Sequence, residues 1–150
     1  MSHEFITTKQ TIIHDTSTTQ YSAKDVISAG TTVPMAFNCN LNGGKVVKLL
    51  VKTNVATFIG KVRVFFFTDP TTSLAADNAV LAMLYTQSYI GYIETELESW
   101  GANSSIGGTI DELAFGKLSS NILYGVLVAN STPTPANGMI FTVEVTTENY

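Results

Sequence analysis

The chain is 150 residues long, 45% hydrophobic and 13% charged, with a formal net charge of −4. That length suits a single domain whose core holds without staples, and the one cysteine, Cys39, excludes an internal disulfide framework and reads as a small buried apolar residue. The acidic balance argues against a dedicated nucleic-acid binder, and no run approaches the roughly 18 apolar residues of a membrane span.

Residues 1–20 read as an N-terminal arm or a peripheral strand, rich in threonine, with Phe5, Ile6, Ile12 and Ile13 as its bulky apolar residues. They lack the apolar centre of a signal peptide, so synthesis and retention in the cytoplasm are expected. Residues 21–150 read as one β-sandwich domain. Tyr21–Ile27 is a short strand leading to a turn at Gly30, and Val33–Phe37 is another, placed at an edge by Pro34. Asn42-Gly43-Gly44 is a turn. Lys45–Thr53 follows as a strand, with Val47, Leu49 and Val51 opposite Lys48 and Lys52.

After Gly60, the strand Lys61–Phe67 alternates Val62, Val64 and Phe66 with Arg63, Phe65 and Phe67, and Asp69-Pro70 stops it. These two runs read as the central strands. Three consecutive phenylalanines put large rings on both faces of the second. Either one face is exposed for a partner, or both faces are covered within the domain. Pro70–Asn78 reads as a polar loop and Ala79–Tyr85 as a helical turn.

Tyr89–Leu97 places Tyr89, Gly91, Ile93, Thr95 and Leu97 on one face. Ile90, Tyr92, Glu94, Glu96 and Glu98 take the face toward solvent or an interface. Ser99–Thr109 is a glycine- and serine-rich loop carrying the only tryptophan, Trp100. Ile110–Leu118 is a weak strand with a turn at Asp111-Glu112. Asn121–Asn130 is apolar on both faces, as in a strand covered on both sides. Ser131–Gly138 is a turn, and Met139–Thr147 closes the domain with Met139, Phe141, Val143 and Val145 inward. Short strands without a long helix predict an all-β fold, a single-domain β-sandwich of jelly-roll type.

Chemistry-bearing patterns are sparse. His3 and His14 have no metal-ligand partner at i+2 or i+4, so no metal residue is expected. No G-x-S-x-G elbow occurs, and Gly43-Gly44-Lys45 lacks phosphate-loop spacing, so no catalytic or cofactor-binding residue is expected. Glu94, Glu96 and Glu98 read as a solvated face rather than a calcium loop. Lys45, Lys48, Lys52, Lys61 and Arg63 put five of the eight basic residues on the central strands. They form a solvated face or a positive patch for an acidic partner. The candidate partner interface comprises Phe5, Ile6, Phe65, Phe67, Ile90, Tyr92 and Trp100.

A set of ordered pieces adds to this. They are Tyr21-x-x-x-Asp25-Val26-Ile27, Asn42-Gly43-Gly44, Val64-Phe65-Phe66-Phe67-Thr68-Asp69 and Asp77-Asn78-Ala79, then Tyr89-Ile90-Gly91-Tyr92-Ile93, Leu123-Tyr124-Gly125-Val126-Leu127-Val128 and Thr132-Pro133-Thr134. Together they resemble a family of small structural proteins of tailed bacteriophages, the head decoration or auxiliary capsid proteins. The resemblance runs from about Tyr21 onward; Ser2–Gln20 and Ser99–Thr109 depart from it. It implies a non-enzymatic virion protein, made in the host cytoplasm and bound outside the capsid. Its partners would be the major capsid protein or other virion proteins, and it offers no catalytic residue. A homo-oligomer, a tail or neck component, and a carbohydrate-binding module using Trp100, Tyr85 or Tyr92 stand as alternatives. No cofactor, nucleic acid or membrane is expected.

Overall fold

The computed structural model describes residues 3–15, 17–28, 34–70, 77–81 and 88–150. Among these, eight strands form and no helix: β1 (Glu4–Ile13), β2 (Met35–Asn38), β3 (Gly44–Thr53), β4 (Gly60–Phe67), β5 (Tyr89–Ser99), β6 (Ser105–Phe115), β7 (Ile122–Ala129) and β8 (Ile140–Asn149). Their spatial order is β1-β8-β3-β6-β5-β4-β7-β2, with antiparallel neighbours throughout.

The pairing is nested. β1 meets β8, β2 meets β7, β3 meets β6 and β4 meets β5, as in one long hairpin wound on itself. β5 and β6 share only the pairs Glu98↔Ile106 and Ser99↔Ser105, and there the sheet turns its corner. Two four-stranded layers result, β1-β8-β3-β6 and β5-β4-β7-β2. This is a jelly roll. β3 and β4 are each internal, but in opposite layers. The far ends, β1 and β2, meet without a ladder. There Gln10 Nε2 donates to the Ala36 carbonyl at 2.6 Å, and Asn38 N donates to Thr8 Oγ1 at 2.9 Å.

Alternation along each strand fills the space between the layers. Val46, Leu49 and Val51 of β3 and Phe141, Val143 and Val145 of β8 face Val62, Val64 and Phe66 of β4 and Leu123 and Leu127 of β7. Phe58 packs edge-on against Phe141 at 5.1 Å, and Cys39 lies buried in the same core. Burial pushes the Cys39 thiol up to about 11.

Register shifts correct the simple alternation. One between Val46 and Lys48 puts Val46 in the core and leaves Val47 half-buried. Another sets Gly91 opposite Phe66 but Tyr89 opposite Phe67. It moves Tyr89 to the outer side beside Tyr92 and turns Ile90 against the main core. Gly91 sits at φ +137°, and a Cβ there would stand 2.7 Å from Leu113 Cδ1, so no other residue fits without strain.

β6 also differs from expectation. It runs unbroken through residues 105–115, so the predicted loop shrinks to a turn at residues 100–104, where Trp100 N donates to the Ser104 carbonyl at 2.8 Å. Asp111-Glu112 is not a turn but part of that strand, opposite the shift at Val47. Val33, Gly30 and most of the helical turn predicted over Ala79–Tyr85 lie outside the described residues. Of that segment, Val80 forms a bridge to Asp25.

Candidate partner interface

The seven residues singled out from sequence do not converge. Phe5 is 63% exposed on the outer face of the β1-β8-β3-β6 layer, while its neighbour Ile6 turns inward, half-buried. Tyr92 is 43% exposed on the opposite layer. Trp100 stands exposed at the β5–β6 turn. Phe65 and Phe67 correct the exposed-face reading: both rings are buried on the outer side of β4. They form a second, smaller core with Val26, Val126 and Val128, edged by Leu81 and Tyr124. Tyr89 lies 5.7 Å from Phe65 and 5.6 Å from Phe67, and Tyr92 lies 5.4 Å from Phe65, between ring centroids. The domain therefore covers both faces of β4 itself. Ile90 joins the main core as a half-buried residue.

The positive patch dissolves too. Lys45, Lys48 and Lys52 lie on β3, whereas Lys61 and Arg63 lie on β4 in the other layer. Lys45 Nζ donates to Glu112 Oε1 at 2.7 Å and lies 3.6 Å from Glu148 Oε2. Arg63 Nε donates to Glu94 Oε1 at 2.9 Å, and its guanidinium carbon stacks 4.2 Å from the Tyr92 ring centre. Arg63 foremost, aided by Asn130, holds the Glu94 carboxyl below the usual range.

What sequence reasoning missed is Ile110, 86% exposed, together with Ile13 and Ile140. Ile13 and Ile140 are direct cross-strand partners on the outer face that carries Phe5, and Ile110 stands opposite the exposed Lys48 on it. Threonines fill the plane: Thr11 pairs with Thr142, and Thr7 Oγ1 hydrogen-bonds Thr146 Oγ1 at 2.8 Å. Ile110 escaped notice because the sequence pattern makes it the first residue of a weak strand broken by a turn at Asp111-Glu112, not the middle of the long strand β6.

Two concavities accompany these faces. One of about 420 Å³ follows the β1/β2 seam, between Gln10–Ile13, Pro34–Ala36 and Gly125–Leu127. The other, about 400 Å³, opens beside Trp100 where β5 and β6 part, and is lined by Glu96, Glu98, Gly108 and Thr109.

A buried polar cluster lies at the end of β1. The side chains of His14 and Asp77 are 0% and 6% exposed, with His14 Nδ1 3.7 Å from Asp77 Oδ2. Tyr21 Oη donates to Asp77 Oδ1 at 2.7 Å. Burial first, and Asp77 next, push the Tyr21 phenol far above the usual tyrosine range. Among the described residues, His14, Asp15 and Asp77 are the one group of three able to hold a metal ion.

No protein family and no curated protein matches the chain. Solved structures match it only distantly. The globular domain of zebrafish complement 1qA protein is 10% identical, with a TM-score of 0.39 and 94% of each chain covered. A chain of the cyanophage Pam1 capsid is 10% identical, with a TM-score of 0.39, over 99% of this chain and 85% of that one. A chain of the full particle of Israeli acute paralysis virus is 10% identical, with a TM-score of 0.36, over 98% and 71%. At such scores the similarity does not reach the role of any residue.

Proposed function

We propose that this chain is a non-enzymatic structural protein of a bacteriophage virion, a decoration protein that binds the outside of the head and stabilises it. The observation that carries this reading is the open outer face of the β1-β8-β3-β6 layer. There Phe5, Ile13 and Ile110 stand exposed among threonines, with Lys45 paired to Glu112 and with Lys48 and Lys52 exposed beside them. Surfaces destined for burial combine apolar centres with few uncompensated charges, because each unpaired charge would have to be desolvated. The ordered sequence pieces that resemble decoration proteins support the same assignment. The partner would be the major capsid protein or another virion protein, approached along that face; a tail or neck location would use the face in the same way.

A glycan-binding reading is favoured by one feature, the exposed Trp100 beside the concavity lined by Glu96 and Glu98. Stacked rings and carboxylates suit sugar hydroxyls. The two readings separate in one experiment on purified phage particles. Ile110→Asp and Phe5→Ala should lower occupancy on the particle while Trp100→Ala leaves it intact. Normal occupancy of the first pair, with glycan-array binding lost in Trp100→Ala, would replace the capsid reading by the glycan one.

A further inference from the structure

We propose that Asn42 is a site of self-modification, converting to aspartate and isoaspartate in the folded chain, whereas Asn137 is held back. The sequence holds two Asn-Gly pairs, Asn42-Gly43 and Asn137-Gly138. Asparagine is chemically labile, and a following glycine puts no side chain in the way of its own backbone nitrogen. That nitrogen attacks the asparagine Cγ and gives up its proton. A C–N bond forms, and the side-chain nitrogen leaves as ammonia. Water then opens the cyclic imide. Cleavage at Cγ yields aspartate; cleavage at the main-chain carbonyl yields isoaspartate, whose main chain runs on through Cβ and Cγ. Water is the only co-reactant, and each conversion adds one negative charge to a chain of net charge −4. The inference does not depend on the role in a virion.

The fold treats the two pairs differently. Asn137 and Gly138 are the central residues of a closed turn, in which Met139 N donates to the Ala136 carbonyl at 3.2 Å. The attacking nitrogen is itself occupied, since Gly138 N donates to the Asp15 carbonyl at 3.0 Å. It is freed only when that segment opens. Around Asn42 the flanks are fixed instead. Leu118 N donates to the Leu41 carbonyl at 2.9 Å, and Tyr150 N to the Gly43 carbonyl at 3.2 Å. Between these bonds, among the described residues, neither the Gly43 nitrogen nor the Asn42 carboxamide makes a hydrogen bond of ordinary geometry. Asn42 is exposed, so water reaches the imide. Isoaspartate would lengthen the main chain just before Gly44, where even an added Cβ would stand 2.1 Å from the Glu148 carbonyl oxygen. The added length strains the bond from Tyr150 to Gly43 and loosens the end of β8, which pairs with Glu4 and Phe5 of β1.

The test is peptide mapping by mass spectrometry of the full chain aged in mildly alkaline buffer, which removes the amide proton and speeds the attack. In the folded chain Asn42 should convert about tenfold or more faster than Asn137, whose nucleophile must first lose a hydrogen bond. In concentrated urea, with both turns gone, the two sites should convert alike. Asn42→Gln, at an exposed position, should fold normally. It should also abolish both the early acidic species seen by ion exchange and the fall in Tm of the aged protein. Equal rates in the folded chain, faster conversion at Asn137, or an inert Asn42 while the urea-unfolded chain converts would each overturn the proposal. A fall in Tm that persists in Asn42→Gln would overturn the link from Asn42 to the end of β8.

Discussion

The two layers of the sandwich treat their outer faces in opposite ways. On β5-β4-β7-β2, the outward Phe65, Phe67, Val126 and Val128 are roofed by Val26, Leu81 and the rings of Tyr89 and Tyr92. On β1-β8-β3-β6, the outward Phe5, Ile13 and Ile110 stand exposed, with no such roof among the described residues. Strand alternation is the same in both layers; what differs is whether the connecting chain returns across the face. A large apolar residue pointing outward therefore reports on stability in one layer and on association in the other.

The sharpest way to break this contrast is truncation on each side. Phe67→Ala should cost the free domain about 3–5 kcal/mol, the usual loss for a buried ring, read by urea unfolding. A loss under about 1 kcal/mol would mean that the roof is loose and that the two faces are alike. Next in size, Ile110→Asp should weaken association with the particle roughly thirtyfold, about 2 kcal/mol, while Tm stays within a few degrees. Unfolding of the isolated variant would place Ile110 in a core instead. Gly91→Ala tests the shift that brings Tyr89 into the roof, and strain at φ +137° should cost roughly 1–3 kcal/mol of stability.

Acid should separate the layers more gently. Arg63 stabilises ionised Glu94, so its folded-state pKa lies below the unfolded value of about 4.3. That stability is fully present above about pH 4.3 and is lost as pH falls through the lower folded value. Glu94→Gln should flatten this part of the acid-unfolding curve; an unchanged curve would remove the pair from the account. The smallest effect is expected from Lys48→Ala and Lys52→Ala, within about 0.5 kcal/mol in stability and little in particle binding at physiological salt. Steep loss of binding with salt would instead put these lysines at the interface.

Much of the fold is legible in the sequence where alternation is uninterrupted. In β8, Phe141, Val143 and Val145 point inward as the pattern requires, and β7 is apolar on both sides because both sides are covered. Legibility fails where one extra residue enters a ladder, since a one-residue slip moves every later side chain to the other face. Ile90 and Tyr89 exchange roles for that reason. It fails again in β6, whose glycines imitate a loop. A Cβ on Gly107 would stand 2.5 Å from the Glu96 carbonyl oxygen, so glycine there permits β5 to come close rather than allowing a turn. The Phe65-Phe66-Phe67 run left two readings open because coverage depends on Val26 and Leu81, distant in sequence. The contact between His14 and Asp77 was invisible for the same reason.

The nested pairing also imposes an order in time. Among the described strands, only β4–β5 and the short β5–β6 contact form ladders between neighbours in the chain, while β1 and β2 wait for β8 and β7. A chain emerging from the ribosome must therefore keep the apolar sides of its first strands uncommitted until its last ones arrive. Such distant pairings place folding in the millisecond-to-second range rather than in microseconds. During that interval the unpaired edges are open to neighbouring chains, so yield on refolding should fall as concentration rises.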